Sequence, residues 1–480
     1  MEYVIKNREP ADVLRYFEEI SAIPRGSGNE KAIGEYLLDF AAKLGLEARM
    51  DDLYNVVIKK PASPGCEHLD PVILQGHTDM VCEKNKNVEH DFTKDGIKLV
   101  VDGDILRADG TTLGADNGQA VACMMAFLAR KDMKHPPLEC VFTSQEEVGL
   151  IGAIGFDPYD LKGTRMINMD CGPEGVCVAG GTTIDIYKTV KRVPFAGEAV
   201  SLKVRGLKGG HSGGDIDKER GNANKIAARV LYAIAKEMKV NLVSMDGGMM
   251  MNAIPRECDA VAAVADAAKA AEIAAEVEKK VKSELEFSDP GLTITLEPAA
   301  APAEMICDED SDAFLKMLYL MPAGLVAKSM ALEGLTVASQ NLAAVKTQED
   351  GRLYILYSLR SSVNSEKAAL GEAIAAVFSL AGAKVQLTGS YDGWNPNMES
   401  PILKAMTASY KALYGKEPAV TAIHAGLECG IIGSKYPKMD MISFGPTICY
   451  PHSPDEKVEI ASVGKFYDFM VDTLRNIPKK

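Results

Sequence analysis

The sequence predicts an α/β protein in which a mainly parallel sheet domain is interrupted by an inserted α+β domain. Strand-like and helix-like patterns alternate through residues 1–186, which is typical of a parallel sheet with helices on both faces. The order of elements changes over 187–388, and the first pattern returns over 389–480. We therefore predict one discontinuous domain, 1–186 with 389–480, and one inserted domain, 187–388.

Hydrophobic spacing predicts the elements of the discontinuous domain. Apolar residues recur at helical spacing over 29–45, where Gly45 would end the helix. Short apolar runs bounded by polar or turn residues predict buried strands. The other predicted helices are 118–130, 401–415 and 463–477, and the predicted strands are 55–60, 71–76, 138–145, 165–170 and 439–445.

The inserted domain contains two blocks of elements separated by the Pro/Ala-rich stretch 297–305. Both blocks have the coarse order βαββαβ, although the second lacks its first strand and no sequence repeat is evident. This order predicts two ferredoxin-like halves. The predicted strands are 198–206, 257–264, 292–298, 336–345, 352–360 and 383–389, and the predicted helices are 222–238, 266–285, 311–321 and 365–382.

The composition excludes several classes of protein. It is typical of a globular protein, with 47% hydrophobic and 25% charged residues. The net charge of -14 disfavours nucleic acid as a partner. No apolar stretch reaches membrane-spanning length, and the charged N-terminus has no apolar run, so neither a membrane segment nor a signal peptide is predicted. None of the 10 cysteines form a Cys-x-x-Cys pair, so we expect a cytoplasmic protein with reduced thiols.

Carboxylates and histidines follow predicted strands, or lie in nearby loops, in five segments. In open α/β sheets, ligands bind outside the carboxyl ends of the strands, so segments far apart in the chain can converge there. The segments are 76–79 (GHTD), 114–118 (GADNG), 144–149 (SQEEVG), 168–170 (NMD) and 451–455 (PHSPD).

These segments contain a donor set that suits a pair of zinc ions if one carboxylate bridges them. Two metals about 3.5–4 Å apart can hold a water and polarise a carbonyl. Glu146 is left as a neighbour that could take the proton of this water, and Asp79 could hydrogen-bond the second nitrogen of His77. The candidate ligands are His77, Asp116, Glu147, Asp170 and His452.

Each motif taken alone has an ordinary structural interpretation. A lone His-x-Asp is more often a polar loop, and adjacent glutamates commonly begin a helix. Asp116 could cap the helix that follows it, and Asp170 could occupy a turn. The Gly-rich stretch 178–182 lacks the GxGxxG spacing and a following helix, which disfavours a nucleotide-binding oxidoreductase. The joint pattern is therefore what indicates a metal centre.

Long sequence blocks extend over nearly the whole chain: LQGHTDMVCEKN, DGTTLGADNG, TSQEEVGLIGA, GLKGGHSGGDI with GNANK, MNAIPRE, YDGWNPN, IHAGLECG and GPTICYPHSPDE. Through these blocks the chain resembles the aminoacyl-histidine dipeptidases (peptidase D, Xaa-His or carnosinase-like dipeptidases). This family belongs to the two-zinc aminopeptidase and carboxypeptidase superfamily. The resemblance implies a zinc-peptidase catalytic domain with an inserted lid domain.

The resemblance implies how the ligands divide between the two ions. His77 and Asp170 would bind one ion, Glu147 and His452 would bind the other, and Asp116 would bridge them. Zn²⁺ is the expected metal, although Mn²⁺ or Co²⁺ could also support activity.

Further roles are implied around these ligands. Glu146 would be the general base for attack of water on the peptide carbonyl, and it would pass the proton to the leaving amine. Asp79 would support His77, and the peptide bond between Asp116 and Asn117 would be cis.

Residues of the lid are implied to hold the substrate. His211 would stabilise the oxyanion, although alone it could be a surface loop histidine. Asn252 and Arg360 would contact the substrate, with Arg360 pairing with the free carboxylate. Glu428 could bind the free amine or orient a loop, and His424 is expected to be structural. Lid pairing implies a homodimer, although a double-sized lid could also serve within one chain.

The implied function is metal-dependent hydrolysis of Xaa-His dipeptides. The alternatives are a general dipeptidase and an N-acyl-amino-acid deacylase, which would accept a blocked amine. A non-catalytic binding protein is disfavoured because the five candidate ligands and Glu146 are all present. One departure is the sequence 171–175 (CGPEG), where better-known members have a run of acids. Dipeptidase activity is therefore better supported than a preference for histidine.

Overall fold

The computed structural model describes residues 3–85, 87–172, 180–330, 334–391, 393, 397, 399–418, 428–436 and 438–477. The chain divides into two compact units. The first contains residues 1–177, 396–422 and 427–480, and the second contains residues 178–395 and 423–426.

The first unit begins with alternating helices and strands, as the sequence predicts. The helices are α1 (Ala11–Ser21), α2 (Lys31–Leu44), α3 (Ala115–Ala129) and α4 (Ile151–Gly155). The strands are β1 (Glu47–Met50), β2 (Val56–Lys60), β3 (Val72–His77), β4 (Leu99–Asp102), β5 (Ile105–Ala108), β6 (Leu138–Thr143) and β7 (Arg165–Asn168).

The second unit follows. Its strands are β8 (Gly180–Lys188), β9 (Arg192–Pro194), β10 (Glu198–Arg205), β11 (Gly210–His211), β12 (Val240–Gly247), β13 (Ala253–Ile254), β14 (Cys258–Val264), β15 (Thr293–Pro298), β16 (Glu304–Ile306), β17 (Gly324–Lys328), β18 (Thr336–Thr347), β19 (Leu353–Ser361) and β20 (Lys384–Tyr391). Its helices are α5 (Ala223–Ala235), α6 (Ala267–Glu284), α7 (Asp308–Leu320) and α8 (Asn364–Leu380), with a 3₁₀ turn at Ile216–Lys218.

The chain then returns to the first unit through α9 (Pro401–Tyr414), α10 (Glu428–Lys435), β21 (Asp440–Ser443), β22 (Ile448–Cys449), β23 (Lys457–Glu459) and α11 (Ile460–Arg475). Helix α9 shows how the sequence sets such bounds. The Ser400 side chain accepts a hydrogen bond from the Leu403 N–H, and Pro401 occupies the first turn. Gly415 ends the helix in the left-handed conformation, at φ 68°.

The central sheet of the first unit has the strand order β1-β2-β6-β3-β7-β21. Strands β6, β3, β7 and β21 are parallel, and β1 and β2 are antiparallel additions at one edge. Every residue of β3, β6 and β7 is buried, as expected for parallel strands covered on both faces. Their carboxyl ends therefore lie at one edge of the sheet, and the prediction of a mainly parallel sheet is confirmed.

The second unit contains two four-stranded antiparallel arrangements, in the orders β15-β10-β14-β12 and β18-β19-β8-β20. Each order is that of a ferredoxin-like βαββαβ unit. The two are joined where β12 pairs with β18, at Asp246↔Lys346 and Gly247↔Val345. The strand missing from the second predicted half is β8, which precedes the first half in the sequence.

The observed division of the chain differs from the predicted one. The boundaries predicted after residues 186 and 388 fall inside β8 and β20. These strands pair with each other from Lys384↔Tyr187 to Tyr391↔Gly181, so both belong whole to the second unit.

Cysteine chemistry also differs from the prediction at one position. Eight cysteines among the described residues are free thiols, whereas Cys171 is disulfide-bonded. The prediction of reduced thiols is therefore wrong for Cys171, because cysteine spacing alone does not determine pairing. In the described part of the chain, no helix combines the length and the apolar character needed to cross a bilayer.

Candidate metal centre

Three neighbouring strands of the first unit bring acidic and imidazole side chains to one edge of the sheet. His77 ends β3 and lies opposite Thr143, the last residue of β6. Glu146 and Glu147 follow β6, and Asp170 follows β7. Because β3, β6 and β7 are parallel, the loops after them emerge at the same edge.

Asp116 lies between two histidines. Its Oδ1 is 3.2 Å from His77 Nε2, and its Oδ2 is 3.3 Å from His452 Nε2. The peptide bond from Asp116 to Asn117 is cis, as the family resemblance implies. The Asn117 amide donates to Asp170 Oδ1 at 3.0 Å, and its Oδ1 accepts the His77 N–H at 3.2 Å. The segment that carries Asp116 is thus tied to both adjacent strand ends.

Two groups of donor atoms share Asp116. In one, His77 Nε2 lies 3.5 Å from Asp170 Oδ1; in the other, His452 Nε2 lies 3.1 Å from Glu147 Oε1. The donor atoms of each three-residue group lie within 4.8 Å of one another. A third group contains His77, Glu146 and Glu147. The structure therefore brings together all five predicted ligands and Glu146.

This donor set fits divalent cations. Imidazole nitrogens and carboxylate oxygens are ligands of Zn²⁺ and similar ions. The side chains of Glu147 and Asp170 are only 7% and 9% exposed. The buried Glu147 Oε1 lies 3.1 Å from His452 Nε2, and a carboxylate buried in this way is costly without a positive charge beside it.

The electrostatics of the cluster also favour a bound cation. Burial, followed by repulsion from Asp116 and Glu147, raises the pKa of Asp170 to about 7 despite the nearby His77. Burial and repulsion from Asp170, Glu147 and Glu428 raise the pKa of Glu146 well above its usual range. The centre thus concentrates more negative charge than its two histidines neutralise.

The same carboxylates stabilise the charged form of the two histidines and so raise their pKa values. Hydrogen bonds with Asp116 and Glu147 raise the pKa of His452 to about 11. Burial opposes the charging of His77, but the carboxylates of Asp170, Asp116 and Asp79 outweigh it and raise its pKa well above the usual range. Positive charge is therefore stabilised on both sides of Asp116, and divalent ions would take the place of these protons.

Asp79 connects His77 to the loop that carries the glutamates. Its Oδ1 lies 3.2 Å from His77 Nδ1 and accepts the Glu146 N–H at 3.0 Å. Its Oδ2 accepts the Glu147 N–H at 3.2 Å and the Ser27 hydroxyl at 2.7 Å. One buried carboxylate therefore orients a candidate ligand and holds the backbone of two functional candidates.

Sequence reasoning missed three other buried side chains near the centre. Glu30 Oε1 accepts the N–H of Gln145, the residue before Glu146, at 3.0 Å. Arg25 and Glu456 contact the segments around Asp79 and Asp116. Glu456 lies in a sequence block that carries the family resemblance, which is the one signal that could have indicated it.

Glu428 is the first residue of α10 and is fully buried. Its Oε2 accepts hydrogen bonds from Gln75 Nε2 at 2.5 Å and Thr143 Oγ1 at 2.7 Å. Its Oε1 accepts none from the part of the chain that the structure describes. Burial raises the pKa of Glu428 to about 7. His424 lies outside the described residues.

The other predicted substrate contacts belong to the second unit. His211 lies on β11, opposite Ala253 of β13, and its Nδ1 accepts the N–H groups of Gly213 and Gly214 at 3.2 and 3.1 Å. The neutral ring therefore carries its proton on Nε2. The Asn252 carbonyl accepts the Ser212 N–H at 2.7 Å. Arg360 lies on β19, 6% exposed, and its Nε finds no acceptor among the described residues.

Comparison with known proteins agrees with this geometry. Residues 73–476 match the model of Peptidase family M20/M25/M40. The cytosol non-specific dipeptidase of Escherichia coli (strain K12) is 38% identical over 480 residues, covering 98% of each chain.

Solved structures of peptidases also match this chain. The aminoacylhistidine dipeptidase from Vibrio alginolyticus matches with a TM-score of 0.89 and 39% identity, over 99% of this chain and 98% of that one. An aminopeptidase from Bacillus cereus ATCC 10987 matches with a TM-score of 0.57 and 15% identity, over 98% and 99%, which shows the fold alone. The resemblance predicted from the sequence blocks is thus confirmed: the chain belongs to Peptidase family M20/M25/M40 and is a peptide-bond hydrolase.

Proposed function

We propose that this chain is a metal-dependent dipeptidase that hydrolyses aminoacyl-histidine (Xaa-His, carnosine-like) dipeptides. The observation that carries the proposal is Asp116, whose two oxygens lie 3.2 and 3.3 Å from His77 and His452. A carboxylate with one histidine at each oxygen is what a bridged pair of ions requires. The names of the E. coli and V. alginolyticus relatives support dipeptides as the substrate class.

The proposed ligands are His77 and Asp170 for one ion, Glu147 and His452 for the other, and Asp116 for both, with Zn²⁺ as the metal. When bound, the ions would supply Lewis-acid activation of a water and of the scissile carbonyl.

Glu146 is the proposed general base, which accepts the proton of the attacking water and passes it to the leaving amine. Asp79 fixes this loop by accepting the Glu146 N–H at 3.0 Å, so the base does not have to be ordered during the reaction.

Two buried side chains of opposite charge, one in each unit, are the proposed partners of the two ends of a free dipeptide. We assign the carboxylate end to Arg360, whose buried Nε finds no acceptor among the described residues. We assign the amine end to Glu428, whose buried Oε1 accepts no hydrogen bond from them. Asn252 is a further proposed substrate contact. His211 is the proposed oxyanion donor, because its proton lies on Nε2.

The second unit is the proposed lid, which supplies His211, Asn252 and Arg360. A homodimer formed through lid domains and a cytoplasmic location complete the proposal. The name of the E. coli relative, a cytosol enzyme, supports the location.

A second candidate is a general dipeptidase without a requirement for histidine. The name of the E. coli relative, "non-specific", favours it. The residues Cys171-Gly172, directly after Asp170, add to this, since the family resemblance implies a run of acids at this place beside a proposed ligand.

The test is hydrolysis by protein stripped of metal and then supplied with Zn²⁺, Mn²⁺ or Co²⁺. The panel contains Xaa-His dipeptides, the same dipeptides ending in other residues, and their N-acetylated forms. We expect metal-restored cleavage of free dipeptides and a loss of about 10²–10⁴-fold in kcat for Glu146→Gln. Equal rates with all second residues would favour the general dipeptidase. Cleavage of only the acetylated forms would contradict both and indicate a deacylase.

A further inference from the structure

Arg25 is a buried cation that contacts two of the segments carrying candidate ligands. It is 2% exposed, and its Nη1 donates to the carbonyls of Thr78 and Asp79 at 2.9 and 3.2 Å. Its Nη2 donates to the Gly114 carbonyl at 2.5 Å. One guanidinium thus joins the loop after His77 to the turn that precedes Asp116.

The close approach of Arg25 depends on glycine at two positions. A Cβ added to Gly114 or to Gly118 would lie 2.6 Å from Arg25 Nη2. Gly114 also has φ 68°, a conformation that residues with a side chain rarely adopt. The turn around Asp116 is therefore shaped to receive the guanidinium.

Glu456 also holds this turn, through its backbone N–H groups. It is 2% exposed. Its Oε2 accepts the N–H groups of Leu113 and Gly114 at 2.8 and 2.9 Å, and its Oε1 accepts the Asp116 N–H at 3.1 Å. Glu456 follows His452 by four residues, so it ties the His452 loop to the bridging candidate.

Together these contacts form a continuous connection from the His77 loop, through Arg25, the turn at Gly114 and Glu456, to the His452 loop. Hydrogen bonds with one charged partner are stronger and shorter than neutral ones. A site whose ligands come from separate loops depends on such supporting contacts to fix their spacing.

We propose that Arg25 and Glu456 are positioning residues that set the place of Asp116 relative to both histidines, and thereby the affinity of the centre for its pair of metal ions. Neither residue is a ligand. The inference rests on the proposed metal centre, and its test does not depend on which dipeptide the enzyme cleaves.

The test compares Glu456→Gln with Glu139→Gln. Glu139 is a matched control, since it is 4% exposed and accepts the N–H groups of Lys162 and Gly163. It lies near the start of β6, whereas the metal centre follows the end of that strand. Both substitutions remove a buried charge that holds a loop.

The measurement is the number and affinity of bound Zn²⁺ equivalents, by competition with a chromophoric chelator, alongside thermal unfolding of the metal-free proteins. We expect Glu456→Gln to lose about 10–100-fold in affinity for at least one equivalent. Glu139→Gln should lower only the thermal stability. Equal losses of affinity in both variants, or wild-type affinity in Glu456→Gln, would overturn the inference.

Arg25 provides a second route if Glu456→Gln does not fold. Arg25→Lys keeps the charge but loses the fork that reaches both segments, so we expect weaker metal binding than in the wild type and stronger binding than in Arg25→Met. Equal affinity in Arg25→Lys and the wild type would contradict the inference. A wild-type protein that binds fewer than two equivalents would instead contradict the proposed metal centre.

Discussion

The two histidines beside Asp116 differ in how the fold holds them. The His77 side chain is 1% exposed, at the end of a central strand, and Asp79 lies 3.2 Å from its second nitrogen. The His452 side chain is 50% exposed, in a loop where its φ is 61°, which is uncommon for a residue with a side chain. One half of the candidate centre is therefore built into the sheet, whereas the other is completed by a loop. We expect the two halves to differ in metal affinity and in their effect on stability.

The largest effect is expected where the two halves meet. Asp116→Ala removes the carboxylate that both halves share, so the protein should lose both metal equivalents and its peptidase activity together. Metal content after gel filtration, measured with kcat/KM on the best dipeptide, checks this. Retention of one tightly bound equivalent would show that the half containing it does not need the bridge.

Substitution of either histidine should have an intermediate effect on metal binding, and the two substitutions should differ in their effect on stability. His77→Gln and His452→Gln should each cost one metal equivalent. In the metal-free proteins, His77→Gln should lower the free energy of unfolding by about 1–3 kcal/mol, because Asp79 loses a buried partner. His452→Gln should lower it by less than His77→Gln does, because this side chain is half exposed and solvent screens its contacts with Asp116 and Glu147. Urea unfolding measures both values, and equal losses would contradict the comparison.

The smallest effect is expected at the hydroxyls that support each half. Ser27→Ala removes a 2.7 Å hydrogen bond to Asp79 Oδ2 and should cost about 1 kcal/mol. Ser27→Ala should accelerate only the slower of two phases of metal release to a chelator, which we assign to the ion on the His77 side. Ser453→Ala is the matched control, since its hydroxyl bonds to the Tyr450 carbonyl at 2.8 Å in the His452 loop. It should affect only the faster phase. The reverse assignment would mean that the exposed half binds metal more tightly.

The sequence was sufficient to predict the strands that carry the centre. Buried parallel strands leave continuous apolar runs, and their carboxyl ends locate His77, Glu147 and Asp170 without a structure. The same runs predict the mixed architecture of the two units, and the predicted peptidase fold is confirmed.

The supporting contacts could not be predicted in this way. Asp79 accepts backbone N–H groups of Glu146 and Glu147, and every residue except proline offers such a donor, so no residue pattern marks the contact. Arg25 and Glu456 are likewise joined to the centre mainly through backbone atoms. The sequence identifies side chains that do chemistry more readily than those that place them.

The order of the elements in the second unit has a consequence for synthesis of the protein. Strand β8 pairs with β19 on one side and β20 on the other, yet the whole first ferredoxin-like half is translated between β8 and these partners. During synthesis, neither edge of β8 can therefore form its sheet hydrogen bonds until residues 353–391 have emerged from the ribosome. The first half can form beforehand from local pairings, whereas the second can close only at the end. A fragment that begins at the Pro/Ala-rich stretch 297–305 would lack β8, which lies between β19 and β20 in the sheet.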